Sequence, residues 1–75
     1  MEKLRIYTDT SVIGGYFDKE FELYSKILFK MFIEGSMKIV LSDITIKELN
    51  KGPVKLIQLI NTIPELNIEF IEINN

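Results

Sequence analysis

The sequence predicts an α/β fold with a short parallel sheet and the element order β-α-β-α-α-β. Strand-like runs of β-forming residues alternate with segments of helical periodicity along the chain. The second of these runs, residues 38–41, is almost wholly apolar, as strands of buried parallel sheets are. Strands alternating with helices favour parallel pairing through right-handed crossovers. With 75 residues, the chain is expected to form one domain, residues 1–75.

The first strand is predicted at residues 4–8, where β-forming residues alternate between two faces. The three residues that follow, Asp-Thr-Ser at 9–11, are short and polar, and a Gly-Gly pair stands at 14–15. Short polar residues and paired glycines are typical of a loop. We therefore expect a loop between the first strand and the first helix.

The first helix is predicted at residues 19–34, and Gly35 is its expected stop. Its inner face is expected to hold the residues that recur at three- and four-residue spacing, namely Phe21, Tyr24, Leu28, Met31 and Phe32. An apolar excess lies outside this stripe at Leu23, Ile27, Phe29 and Ile33. The helix therefore has more apolar surface than one core contact requires.

Ser42 stands where the N-cap of the next helix belongs, and Asp43 complements the dipole of its first turn. That helix is predicted at residues 43–50. Pro53 is well placed to open a third helix, which Pro64 ends. The inner face of the third helix is expected at Val54, Ile57, Ile60 and Ile63. The third strand is predicted at residues 68–73.

The composition restricts the chemistry that this chain can perform. It contains no cysteine and no histidine, which excludes disulfides, thiol nucleophiles, imidazole triads and histidine–metal sites. A metal would therefore be a hard ion held by oxygen atoms. The net charge of −2 gives no basic footprint for nucleic acid or membranes. No apolar run approaches the roughly 18 residues of a membrane span, so we expect a soluble, cytoplasmic protein.

Two carboxylates are expected to converge at one end of the sheet. Asp9 follows the first strand, and Glu48 lies on the helix that follows the second strand. Ligands of open α/β sheets bind beyond the carboxyl ends of the strands, so the pair suggests a magnesium or manganese site. The alternative from the residues alone is purely structural: Asp9 holds a turn, Ser42 and Asp43 cap a helix, and Glu48 is solvated surface.

Two segments resemble the PIN-domain family, which includes the VapC-type toxins of toxin–antitoxin systems. Residues 7–18, Tyr-Thr-Asp-Thr-Ser-Val-Ile-Gly-Gly-Tyr-Phe-Asp, look like the opening of a PIN domain, with a strand ending in Asp followed by Thr and Ser. Residues 39–49, Ile-Val-Leu-Ser-Asp-Ile-Thr-Ile-Lys-Glu-Leu, are similar to the family's second strand and the helix that bears an acid. The resemblance covers the whole chain in element order and corresponds to the N-terminal half of a PIN domain.

The resemblance implies a truncated, small three-layer α/β/α-type PIN-like half-fold. It also implies an endoribonuclease that uses Mg²⁺ or Mn²⁺ on acidic residues. Asp9 and Glu48 match the first two acids, in catalytic and metal-holding roles, and Thr10 or Ser11 would support the site by hydrogen bonding. The family's later acids have no counterpart here, so whether the chain is an enzyme stays open. RNA and an antitoxin-like protein are the implied partners.

Three functions therefore remain open: a metal-dependent ribonuclease or its N-terminal fragment, a non-catalytic interaction module, and a small-molecule or nucleotide binder. Each has a different basis. The binder has only the fold class behind it.

In a half-fold the first strand becomes an unpaired edge, and the helix 19–34 exposes residues such as Phe29 and Ile33. Such surfaces usually mark an interface, so we expect a homo-oligomer built through that strand or that helix.

Overall fold

A computed structural model describes residues 3–73 of the chain. Its strands are β1 (Leu4–Tyr7), β2 (Met37–Ser42) and β3 (Ile68–Ile71). Its helices are α1 (Thr10–Gly15), α2 (Glu22–Glu34), α3 (Asp43–Lys51) and α4 (Val54–Ile60), and a 3₁₀ turn at Glu65–Asn67 leads into β3. Within residues 3–73, none of the helices has the length and apolar character that crossing a bilayer requires.

The three strands form one parallel sheet in the order β1-β2-β3. Ile39 in the central strand is in register with Ile6 of β1 and with Ile68 of β3. This confirms the predicted α/β class and the parallel sheet. In the described sheet β1 lies at an edge, as expected for the half-fold.

All four helices pack on one face of this sheet. The strand order advances in one direction, so two crossovers of the same right hand leave their helices on the same side. The buried core accordingly joins residues of the helices to Met37, Ile39 and Leu41, which share one face of β2. The molecule measures 35 × 34 × 17 Å. The fold of residues 3–73 therefore consists of the sheet and one helical layer, and within these residues the other sheet face is uncovered.

The segment after β1 is a helix, so the predicted loop was wrong. Asp9 supplies the N-cap of α1, and its Oδ1 accepts a hydrogen bond from the backbone N of Val12 at 3.1 Å. Ile13 is fully buried and anchors the helix to the core. Asp, Thr and Ser favour both turns and helix N-caps, and here the burial of Ile13 decides between them.

Helix α2 begins at Glu22, three residues later than predicted, and ends at Gly35 as expected. Gly35 has a φ of 89°, the left-handed conformation in which glycine has no steric penalty. The predicted inner face was partly wrong, since Phe21, Tyr24 and Met31 are exposed. The core-facing side chains are instead those of Ser25, Leu28, Phe29 and Phe32. Phe29, expected to be exposed, is only 1% accessible.

The second half of the chain follows the prediction closely. Ser42 caps α3, because its Oγ accepts from the backbone N of Thr45 at 3.1 Å. Helix α4 starts directly after Pro53 as expected, but it ends at Ile60, before Pro64. It buries Ile60 as predicted, together with Leu56 and Leu59, which the predicted inner face did not include. Val54 was expected on the inner face but is exposed. The first turn of α4 enters the core through Leu56 instead.

Candidate metal centre

The candidate site lies at the carboxyl ends of β1 and β2, where the two helices α1 and α3 begin. Asp9 lies between β1 and α1, directly before the first residue of α1, and is held by its own capping bond to Val12. Its second carboxylate oxygen takes no part in that bond. One oxygen therefore fixes the side chain, and Asp9 is exposed to solvent at the end of the sheet.

Glu48 is brought to the same place by α3 and joined to α1 through Thr10. The hydroxyl of Thr10 donates a hydrogen bond to Oε1 of Glu48 at 2.6 Å. A hydroxyl–carboxylate bond of this length is charge-assisted and among the stronger side-chain bonds. Because Thr10 directly follows Asp9, this bond places both carboxylates at one edge of the sheet. The two sequence motifs, 38 residues apart, thus meet in the fold.

A partly buried network of hydroxyl groups lies at the ends of β1 and β2, next to the candidate site, and the sequence did not predict it. Ser42 is fully buried, and its Oγ accepts from the Tyr7 hydroxyl at 3.2 Å and donates to Thr45 Oγ1 at 3.1 Å. The network joins the last residue of β1 to the end of β2 and the first turn of α3. The only signal in the sequence was the spacing of Ser42 and Thr45, which is that of an N-cap and its N3 residue.

Helix α1 is fixed from its other side by α2. Ser25 Oγ donates to the backbone oxygen of Val12 at 2.9 Å, across two neighbouring helices. Gly15 permits this approach, because a Cβ built there would lie 2.7 Å from Ser25 Oγ. The helix that carries Thr10 is therefore held against α2 by packing and by a part-buried hydrogen bond.

The other predicted residue, Ser11, is exposed in the first turn of α1. Asp43 lies at the start of α3, where its Oδ1 accepts from the backbone N of Ile73 at 3.0 Å. It thereby ties the segment after β3 to the helix. Asp43 thus stabilises the end of the described chain as well as the first turn of α3.

Glu69 lies on the uncovered sheet face, away from this cluster. Arg5 Nε donates to Glu69 Oε1 at 2.9 Å, and Arg5 Nη2 pairs with the second oxygen. The hydrogen bond from Arg5 lowers the pKa of Glu69 below its ordinary value, and the positive charges of Arg5 and Lys38 act in the same direction. Glu69 therefore pairs β3 with β1 across β2, and it does not extend the site at Asp9.

The donor atoms at the site suit a hard divalent cation. Asp9, Glu48 and Thr10 offer only oxygen, and Mg²⁺ is commonly held by one or two carboxylates while its other ligands are water and phosphate oxygens. Within the described residues, no group of three or more His, Cys, Asp or Glu side chains is assembled that could hold a metal ion. Asp9 and Glu48 therefore remain a predicted pair of ligands.

No protein-family model, curated protein or solved structure matches this chain.

Proposed function

We propose that this chain is a PIN-like, toxin-type endoribonuclease, or the N-terminal fragment of one, that cleaves RNA phosphodiesters with Mg²⁺ or Mn²⁺. The observation that supports this most directly is the hydrogen bond from Thr10 to Glu48. It joins the two segments that resemble the family, and it does so at the sheet edge where ligands of α/β folds bind.

In this proposal Asp9 and Glu48 hold the cation between α1 and α3. A bound divalent cation makes a coordinated water a stronger nucleophile and neutralises charge on the phosphodiester. Asp9 contributes an oxygen from a side chain already fixed by its bond to Val12. Thr10 acts as a positioning residue, since its hydroxyl orients Glu48.

RNA cleavage in the presence of Mn²⁺ tests the proposal. We expect the purified protein to cleave single-stranded RNA only with the divalent cation, and Asp9→Asn and Glu48→Gln each to lower the rate by at least about 100-fold, because each removes a metal ligand. Glu20→Gln is the matched control: it removes one negative charge from an exposed residue before α2 and should leave the rate unchanged.

Cleavage that persists equally in Asp9→Asn would point to a contaminating nuclease and contradict the proposal. The proposal would also be contradicted if the purified protein neither cleaves RNA nor binds Mn²⁺. Circular dichroism of each variant shows whether a lost rate reflects a lost fold.

The second candidate function is a catalytically incomplete PIN-like module that acts in protein–protein interaction or self-association. The observation that favours it is the outer face of α2, where Leu23, Tyr24, Ile27 and Met31 are exposed on one side of the helix. Contiguous apolar patches of this kind usually mark an interface. An antitoxin-like protein or a second copy of the chain is the proposed partner.

A further inference from the structure

A pocket of about 230 Å³ lies between α3, α4 and β3, and neither Asp9 nor Glu48 lines it. Phe70 of β3 forms its wall on the side of the sheet. Phe70 is in register with the core residue Leu41, so its side chain stands on the helical face of the sheet, where it is 65% exposed. The pocket therefore has an accessible aromatic ring along one side.

The floor of the pocket is apolar. Helix α3 contributes Leu49 and α4 contributes Ile60, both buried in the core, and the partly buried Ile57 lies beside them. Among the described residues, those that line the pocket carry no charge. Burial of an ion without a partner is costly, so the lining suits an uncharged ligand. An apolar cavity of about 150 Å³ holds benzene, so this larger pocket has room for two fused rings.

Two amide side chains, those of Asn50 and Asn61, complete the lining. Both residues are exposed, and within residues 3–73 neither side chain forms a hydrogen bond. An asparagine side chain offers an acceptor oxygen next to an NH₂ donor. Adenine presents the matching donor and acceptor side by side, at N6 and N7. The lining thus provides an aromatic wall, an apolar floor and groups that can bind the polar edge of a base.

We infer that this pocket binds adenine, either in a free nucleoside or as an unpaired base of an RNA strand. The ring system lies against Phe70, since bases stack on exposed aromatic side chains. Asn50 or Asn61 pairs with the N6 and N7 edge of the base. The inference goes beyond the ribonuclease proposal and does not depend on it, because the metal site lies outside the pocket.

A titration with adenosine, followed in ¹⁵N–¹H NMR spectra, tests the inference. EDTA is present throughout, so that no metal is bound and no RNA is cleaved. We expect adenosine to shift the side-chain NH₂ signals of Asn50 and Asn61. The NH₂ signal of Asn67 is the internal control and should not move, because this buried amide donates to Phe32 O at 3.0 Å. Uridine has one ring and no N6 and N7 edge, so it should bind at least about tenfold more weakly.

An RNA hexamer of adenylate distinguishes the two sources of the base. If the hexamer binds at least about tenfold more tightly than adenosine, the pocket takes its base from an RNA strand. If it binds equally or more weakly, the pocket takes a free nucleoside. Both results support adenine as the ligand. Neither depends on ribonuclease activity, because the metal has been removed.

Phe70→Ala tests the aromatic wall. We expect the affinity for adenosine to fall by about 10-fold, which is the order of effect that loss of a stacking ring has on base binding. Phe21→Ala is the matched control, since Phe21 is 54% exposed directly before α2 and does not line the pocket. It should bind adenosine as the wild-type protein does.

A second pair of variants covers the case in which Phe70→Ala does not fold. Asn50→Leu and Asn61→Leu keep the size of the side chain and remove the amide, and at least one of them should lower the affinity for adenosine by about 10-fold. The inference would be overturned if adenosine shifted neither amide signal, or if uridine bound equally well. Undiminished binding by a folded Phe70→Ala protein, or by both leucine variants, would also overturn it.

Discussion

Thr10 connects the two halves of the candidate site, and its role is specific to its hydroxyl group. Asp9 is fixed by a bond to its own helix, whereas Glu48 is an exposed side chain that depends on Thr10 for its orientation. A flexible glutamate would lose conformational entropy on binding a cation. The hydrogen bond from Thr10 already restricts the Glu48 side chain before a cation binds, so less conformational entropy is lost on binding.

Thr10→Val keeps the shape of the side chain and removes the hydroxyl. We expect Mn²⁺ affinity to fall by about 10-fold or more, as for other groups that orient a ligand, while the unfolding midpoint changes little because Thr10 lies near the surface. Isothermal titration with Mn²⁺ and thermal denaturation measure the two quantities. Thr10→Ser restores the hydroxyl and should recover the affinity; if it binds as poorly as Thr10→Val, the hydroxyl is not what positions Glu48.

Glu69 makes the stability of the fold depend on pH. Arg5 lowers the pKa of Glu69 in the folded protein, so the native state binds fewer protons than the unfolded chain near that pKa. The stabilisation is therefore present above the ordinary pKa of 4.5 and is lost as the pH falls through the lowered value. We expect Glu69→Gln to have a lower urea midpoint than wild type at neutral pH and the same midpoint in strong acid.

Glu65→Gln is the control for this titration, because it removes the same charge from the exposed 3₁₀ turn before β3. Its urea midpoint should follow that of the wild-type protein at every pH. A Glu69→Gln protein whose deficit is constant across the whole range would mean that the carboxylate form of Glu69 is not what stabilises the sheet.

At the scale of the elements, the sequence predicted those helices whose termini carry a unique signal. Ser42 and Gly35 mark a start and a stop that the structure confirms. Helix α1 was missed because its Asp-Thr-Ser start and its two glycines are equally typical of a loop. The buried face of α2 was missed for another reason: the helix is apolar on nearly every side, so periodicity alone could not select the face that Ser25 and Phe29 occupy.

The two glycines of α1 have opposite roles, and this gives a matched pair of variants. A Cβ at Gly14 meets nothing within 4 Å, so Gly14→Ala should stabilise the protein by about 0.5–1 kcal/mol through helix propensity. A Cβ at Gly15 would clash with Ser25 Oγ, so Gly15→Ala should destabilise it by about 1–3 kcal/mol. Chemical denaturation measures both; a stabilised Gly15→Ala would show that α1 does not pack on α2 as described.

The convergence of Asp9 and Glu48 followed from a general rule, because the carboxyl ends of parallel strands share one edge of a sheet. The contact between Thr10 and Glu48 did not follow from it. That contact depends on how α1 tilts against α3, which Ile13 and the Ser25 hydrogen bond determine through tertiary packing. Sequence patterns locate a site in such a fold, and packing decides which side chains complete it.

At the scale of the whole molecule, the strand order determines which surfaces remain uncovered. A sheet that advances in one direction has all its helices on one face, so within residues 3–73 no helix covers its other face and β1 lies at its edge. Two side-chain bridges, Arg5 to Glu69 and Tyr7 to Ser42, cross the open face and help to bury Val40. Among the described residues, five of the exposed large apolar side chains lie on α2.

Ile27→Lys places a charge in the middle of the exposed apolar face of α2. We expect it to weaken self-association at least tenfold in sedimentation experiments, with little change in the unfolding midpoint of the monomer, because Ile27 is half exposed. Leu66→Lys is the control, since Leu66 is an equally apolar and more exposed residue on the 3₁₀ turn. If both variants associate like the wild-type protein, the outer face of α2 is not part of the interface.

The most direct test of a shared metal site at Asp9 and Glu48 is a Mn²⁺ titration followed by amide signals in a ¹⁵N–¹H NMR spectrum. Paramagnetic Mn²⁺ broadens the signals of residues close to it. We predict that at substoichiometric Mn²⁺ the signals around Asp9 and around Glu48 broaden first and together, and that Asp9→Asn abolishes both effects. Broadening scattered over the exposed acids, or broadening at Glu48 that survives Asp9→Asn, would contradict a metal held between the two carboxylates.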